Sequence, residues 1–282
     1  MTDTSPYAAA ADIALVISDV DGTLLTPEKA LSARTIAAVA RLGEAGVAFS
    51  LISARPPRGM IGYAKTLKVS QPIAAFNGGN LIGPDQTLLR TRRLAPDLAW
   101  DMIALVEACG ANVWVFADGG WRLRDPKGPK VDRERAAIGL PPQVVDGFED
   151  VIGRIDKIVG VSDDHELLAR AESQAQSRWG EAATIQRSQP YYLDFTHLEA
   201  NKGGGVTALC AEIGVPLART AVIGDMFNDI AMFKVAGFSV AMGQAPPAVK
   251  AAARTVTGPN TEDGFAQAID GLLASRAAEA AG

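Results

Sequence analysis

The sequence predicts an α/β fold: a doubly wound parallel sheet whose chain is interrupted by an inserted α+β domain. Three observations lead there. Short apolar runs of strand length alternate with helix-patterned stretches at both ends of the chain, the middle of the chain loses that rhythm, and the residues just after the apolar runs form one chemically coherent polar set.

The first run, 13–18 (IALVIS), is continuous, rich in β-branched residues and too short for a helix, as expected of a strand buried on both faces. Similar runs recur at 47–52, 73–76, 221–223 and 238–242. Between them lie helix-patterned stretches at 32–45, opened by Ser32 and closed near Gly46, at 56–67, at 202–213, closed by Gly214, and at 228–236, closed by Gly237. Such alternation predicts right-handed crossovers with helices on both faces of the sheet. From about Pro84 to Pro190 the pattern changes to strand-like pieces at 112–117, 120–124, 155–161 and 191–195. Helices at 95–109 and 164–178 and Pro/Gly-rich connections separate them. The expected division is therefore a core from 11–84 and 196–282, with 85–195 as the insert. The Ala-rich tail after Leu273 is the only biased tract that stands out.

Composition narrows the function. With 48% hydrophobic and 21% charged residues in 282, the chain can bury a sizeable core. Its formal charge of −5 argues against a nucleic-acid partner, because backbone binding needs a surplus of Lys and Arg. No run reaches membrane-spanning length, and Met1 to Ala11 lacks the basic start of a secretory leader. Cys109 and Cys210 lie in helix-patterned segments and read as reduced core thiols, which implies a cytoplasmic setting. His165 and His197 are the only histidines, too few for a histidine-rich zinc site.

In open parallel sheets ligands bind beyond the carboxyl ends of the strands. Asp19 and Asp21 follow the first run, Ser53 and Arg55 the second, Asn77-Gly78-Gly79 the third, and Asp225, Asn228 and Asp229 the fourth. Asp19 and Asp21, two residues apart, can share one pocket; their repulsion is relieved by a proton or a cation, and Asp225 as a third acid favours the cation. Oxygen ligands without histidine or thiolate select Mg²⁺. Gly22 permits the tight backbone that a phosphate needs. Helix capping explains Asp229 alone but not the whole acidic set. Lys202, at a helix start before Gly203-Gly204-Gly205, opposes the helix dipole and so reads as a phosphate ligand, with a solvated surface lysine as the competing reading.

These residues resemble the haloacid dehalogenase-like phosphatases, in particular the Cof-type sugar-phosphatase branch (class IIB cap). Asp19-Val-Asp-Gly-Thr-Leu-Leu25 is similar to that family's first motif, Ser53 to its second, Lys202 to its third and Gly224-Asp-Met-Phe-Asn-Asp229 to its fourth, in the right order along the whole chain. Ser53-Ala-Arg55 stands where the family commonly has Thr-Gly-Arg, and Met226 where a small residue is common. The resemblance implies a Rossmann-like core with an inserted cap, acting on a small phosphorylated metabolite. It implies that Asp19 is a nucleophile forming an aspartyl-phosphate and that Asp21 is the acid and base. Mg²⁺ would be held by Asp19, the Asp21 carbonyl and Asp225, with Ser53, Lys202 and Asn228 on phosphate oxygens and Asp229 orienting Lys202 or a metal-bound water. Gly22, Arg55 and Asn77 complete the candidate phosphate site.

Other signals weigh less. Gly237-Phe-Ser-Val-Ala241 resembles a hydrolase elbow but lacks the last glycine and lies in an apolar run. Arg122 to Arg135 is mixed in charge and reads as a solvated hairpin and loop, or else as a cap surface steering an anion. Trp100, Trp114 and Trp121 read as packing residues. A phosphotransferase or mutase using the same aspartyl-phosphate is one alternative function, and a non-catalytic phospho-ligand sensor another.

Overall fold

A computed structural model describes residues 6–280; the start of the Met1–Ala11 segment, read above for a leader, lies outside the described residues. The chain opens with β1 (Leu15–Ser18), α1 (Ala33–Glu44), β2 (Ala48–Leu51) and α2 (Arg58–Thr66). The Ser32 side chain caps α1 by accepting the Thr35 N–H at 3.0 Å. Then come β3 (Ile73–Ala75), β4 (Asn80–Ile82) and β5 (Leu88–Thr91). The middle holds α3 (Pro96–Ala108), β6 (Asn112–Ala117), β7 (Gly120–Leu123), α4 (Val131–Ile138) and β8 (Gln143–Val144), followed by β9 (Ile155–Val161), α5 (His165–Trp179), β10 (Ala183–Gln189) and β11 (Tyr192–His197). The chain closes with α6 (Lys202–Ile213), β12 (Thr220–Gly224), α7 (Ile230–Phe233), β13 (Phe238–Ala241), α8 (Pro247–Ala252), β14 (Thr255–Val256) and α9 (Gly264–Ala280).

The two ends of the chain build one five-stranded parallel sheet, in the order β14-β13-β12-β1-β2. β1 sits between β12 and β2 with all four residues buried, which is why its sequence is continuously apolar rather than alternating. One face packs Val16, Phe49 and Ile223 against Leu42 of α1 and Phe265 and Ile269 of α9; the other packs Leu15, Ile17 and Val222 against Leu209 of α6 and Val249 of α8. The Ala-rich tail, as far as Ala280, is thus the end of a core helix, as the helix propensity of alanine favours.

The run at 73–76 differs from its expected place in the parallel sheet. A single parallel bridge, Ile52 to Ala74, joins it to the end of β2, and it otherwise pairs antiparallel in a separate three-stranded sheet, β3-β4-β5. The cause is local: Phe76 and Asn77 take φ of 49° and 57°, ending the strand and folding the chain back. Gly78, at φ 99°, lets this turn lie on α6, where an added Cβ would come within 2.4 Å of the Gly205 Cα.

β5 pairs with β4 across the expected 84/85 boundary; beyond it the Thr91 hydroxyl donates to Asp156 of β9 at 3.0 Å, and the Leu94 N–H meets the Ile155 carbonyl at 3.0 Å. At the other end β11 continues past 195 to His197. The middle sheet has six strands in the order β10-β11-β9-β6-β7-β8, mixed in direction. α3 and α5 cover one face; α4 and Phe76 close the other, where Trp114 and Trp121 are buried 5.1 Å apart. α4 replaces the loop expected within Arg122–Arg135, and β10 was not expected at all. Among the described residues no helix is long and apolar enough to cross a membrane.

Candidate active site

Asp19 follows β1 and is anchored by its own N–H, which donates to the Ile223 carbonyl of β12 at 2.9 Å. Its buried carboxylate receives Lys202 Nζ at 2.5 Å. Lys202, the first residue of α6, is also buried, and its ammonium lies 2.5 Å from Asp229 as well. Asp229 in turn accepts the N–H groups of Asp225 and Met226 on its second oxygen, both at 2.8 Å. Asp229 therefore ties the loop after β12 to the lysine, and both its oxygens are engaged.

Asp225 sits at the end of β12, taking the Thr23 hydroxyl at 3.2 Å and the Gln244 amide at 3.5 Å. Gln244 also bonds the Gly22 carbonyl at 2.6 Å. Gly22 is required here: it takes φ +83°, and a Cβ would lie 2.3 Å from Asp225 Oδ2.

Asp19, Asp225 and Asp229 each place a carboxylate oxygen within 4.8 Å of the others, all buried. Among the described residues, three carboxylates face one ammonium in this buried site, a formal surplus of two negative charges. Burial raises the Asp19 carboxyl well above its usual range; Lys202 opposes this and Asp229 and Asp225 reinforce it. Burial, then Asp229, pushes Asp225 up to about 7. Burial alone would lower the Lys202 ammonium, but Asp19 and Asp229 together hold it above its ordinary value. Hard oxygen donors with this surplus charge fit a divalent cation, for which Asp19 and Asp225 are the less committed ligands.

Asp21 lines the same cleft as Asp19, as its spacing suggested, but its charge is answered differently. Its carboxylate is gripped by Arg55, Nε at 2.5 Å and Nη2 at 2.8 Å, and by Lys29 at 2.7 Å. Burial would raise its carboxyl, but Arg55 and Lys29 outweigh this and bring it to about 2. Protein cations, rather than a shared ion or proton, thus answer the charge of Asp21. Arg55 also lies over the Tyr63 ring, 5.4 Å from its centre.

Ser53 is buried at the cleft floor, its hydroxyl accepting the Arg55 N–H at 3.2 Å. Asn228 lines the cleft, and its amide donates to Asn77 Oδ1 at 3.3 Å. Asn77 is buried behind Asn228 and stands outside the cleft wall, so it acts through its neighbour. His197 accepts the Glu199 N–H at 3.1 Å, a local structural bond. The floor residues face an open cleft roofed by Arg133, Glu134, Lys157, Tyr191 and Tyr192 of the middle segment. Arg133 and Glu134 fall in the Arg122–Arg135 run whose second reading is an anion-steering surface; sequence reasoning missed Lys157, Tyr191 and Tyr192, although a charged Asp156-Lys157 inside an apolar strand is a signal, and Gln244 gave none.

A family model for haloacid dehalogenase-like hydrolases matches residues 16–269. The chain belongs to that family. A Haemophilus influenzae protein assigned as a phosphatase is 30% identical over 256 residues, covering 90% of this chain and 96% of its own. The pyridoxal phosphate phosphatase of Escherichia coli is 28% identical, covering 90% and 97%. Among solved structures, a haloacid dehalogenase-like hydrolase from Bacteroides thetaiotaomicron superposes with a TM-score of 0.81 at 27% identity, covering 92% of this chain and 98% of that one. As a haloacid dehalogenase-like hydrolase this chain is a phosphatase, and the acidic floor lies where such a sheet binds ligands.

Proposed function

We propose that this phosphatase hydrolyses phosphate monoesters of small metabolites through an Asp19 aspartyl-phosphate, with Mg²⁺ as its cofactor and the middle segment, about residues 85–195, as a cap. The observation that carries the reading is the Asp19 carboxylate held 2.5 Å from a buried lysine at the cleft floor, with Asp225 and Asp229 beside it. Lys202 fixes the carboxylate that attacks phosphorus and balances charge as phosphate oxygens arrive. Ser53 and Asn228 offer donors to those oxygens, and Asn77 holds Asn228. Mg²⁺, on Asp19, Asp225 and the Asp21 carbonyl, supplies further neutralisation of the transferring group when bound.

Asp21 is the candidate acid for the leaving oxygen and base for the attacking water. That role needs it released from Arg55, and the substrate phosphate is the natural competitor, since a guanidinium fork fits carboxylate and phosphate alike. Relatives named for pyridoxal phosphate, HMP-PP and a phosphorylated ribitylaminouracil support a small phosphorylated metabolite as substrate. Two free cysteines suit the cytoplasm.

The test is Asp19→Asn assayed on p-nitrophenyl phosphate with Mg²⁺. Turnover is expected to fall by a factor on the order of 10³ or more with the fold intact. Near-normal turnover would sink the mechanism, and phosphoryl transfer to an added alcohol in preference to water would make the enzyme a transferase.

A further inference from the structure

The roof of the cleft belongs to a sheet face otherwise filled with aromatic and aliphatic side chains, among them Trp114, Phe116, Trp121 and Val159. One ion pair interrupts it. Lys157 on β9 and Asp194 on β11 are both buried, with Nζ 2.6 Å from Oδ2. Taking two charges out of water costs more than their attraction commonly returns, and an apolar pair would serve packing as well. Lys157 nevertheless lines the cleft, and its ammonium lies 3.5 Å from the Ala54 carbonyl, next to Ser53. Glu134 on α4 lines the same roof, and it accepts the Tyr192 hydroxyl at 3.1 Å. Lys157 is thus a donor already neutralised by Asp194, whereas the hydrogen-bond partner of Glu134 is a phenol rather than a cation.

We propose that Lys157 and Glu134 are the specificity-determining residues for the leaving group, and that they select an uncharged group presenting a hydrogen-bond acceptor and a donor on neighbouring atoms. The acceptor would meet Lys157 and the donor Glu134. A leaving group with a second phosphate would meet the Glu134 carboxylate and be disfavoured. Adjacent hydroxyls of a polyol and a hydroxylated nitrogen heterocycle share this chemistry. The inference rests on the proposed phosphatase reaction.

The experiment compares kcat/KM for glucose 6-phosphate, pyridoxal 5′-phosphate, fructose 1,6-bisphosphate and phenyl phosphate, using the full chain with Mg²⁺. The unmodified enzyme should favour glucose 6-phosphate or pyridoxal 5′-phosphate over phenyl phosphate by about tenfold or more, the better of the two identifying the source of the leaving group, and should disfavour the bisphosphate. Glu134→Gln, and Lys157→Met combined with Asp194→Asn so that no lone charge stays buried, should each cut that preference by about tenfold, mainly through KM. No preference in the unmodified enzyme, or a preference unchanged in either folded variant, overturns the proposal. Turnover that is absent on all four esters, or that survives Asp19→Asn, instead refutes the proposed reaction, and this inference falls with it.

Discussion

Arg55 holds Asp21 in a two-point grip, Nε to Oδ2 at 2.5 Å and Nη2 to Oδ1 at 2.8 Å. The same guanidinium reaches the Ala137 carbonyl of α4 at 3.4 Å, so one side chain touches both the proposed proton-carrier and the roof. An acid held as its anion cannot donate, so the proposed role of Asp21 requires Arg55 to release it.

The grip has a measurable pH signature. The folded Asp21 carboxyl, at about 2, lies below its ordinary value of 3.8, so the pair contributes stability above about pH 4 that is lost as pH falls toward 2. At neutral pH the contribution is on the order of 2 kcal/mol. Urea unfolding of Arg55→Ala should therefore show a deficit near neutrality that shrinks as pH drops through this window. A deficit independent of pH would assign Arg55 to packing on Tyr63.

The acidic floor predicts the opposite slope. Asp225, raised to about 7, favours the folded state fully below about pH 4 and loses that contribution as pH rises through 7, with Asp19 shifted the same way. Metal-free protein should lose melting temperature over this range. Mg²⁺ should restore it, more at pH 8 than at pH 5, because a cation competes with protons for the same oxygens. Scanning fluorimetry with Mg²⁺ or a chelator checks this, and Asp225→Asn should remove most of the Mg²⁺ response.

How legible the site was follows from how each residue is placed. Asp19, Ser53 and Asp225 follow strands buried on both faces, so continuous apolar runs pointed to them directly. The partner of Asp21 was hidden because Arg55 arrives from the loop after β2 and the choice is one of side-chain direction, which spacing does not encode. The run at 73–76 was legible as a strand but not as a hairpin arm: Asn77-Gly78 is a turn dipeptide, but the left-handed Phe76 just before it carries no sequence signature. α4 went unread because only Val131 and Ile138 on it are buried, leaving a charged sequence without helical periodicity. β10 is an edge strand carrying polar Gln186, Arg187 and Gln189, which dilutes its alternation.

Among the described residues, Lys202 is the cation that bonds the buried carboxylates of the floor, Asp19 and Asp229 directly. Lys202→Met should cost about 3–5 kcal/mol at neutral pH, the penalty for stranding buried charge, and not merely the loss of one bond. The cost should shrink in acid, where the carboxyls protonate, and with Mg²⁺, which replaces the missing charge. Unfolding measured at two pH values with and without Mg²⁺ checks this; a cost insensitive to both would mean the lysine contributes through its aliphatic stem.

Gly22→Ala tests whether backbone shape alone can unmake the site. At φ +83° an alanine costs about 1 kcal/mol or more in backbone strain. Its methyl would also sit 2.3 Å from Asp225 Oδ2 and 2.8 Å from the carboxyl carbon, so Asp225 must rotate away. Rotation would break the bonds to Thr23 and Gln244 and remove a proposed cation ligand without altering any charge. Affinity for Mg²⁺, read by titration calorimetry, should fall by about tenfold or more, as it does when a ligand loses its supports. Gly46→Ala is the control: φ is +71° there, with nothing within 4 Å of the added Cβ, so the strain is similar and the site untouched. Equal losses of Mg²⁺ affinity in the two variants would show that Gly22 matters for folding rather than for the position of Asp225.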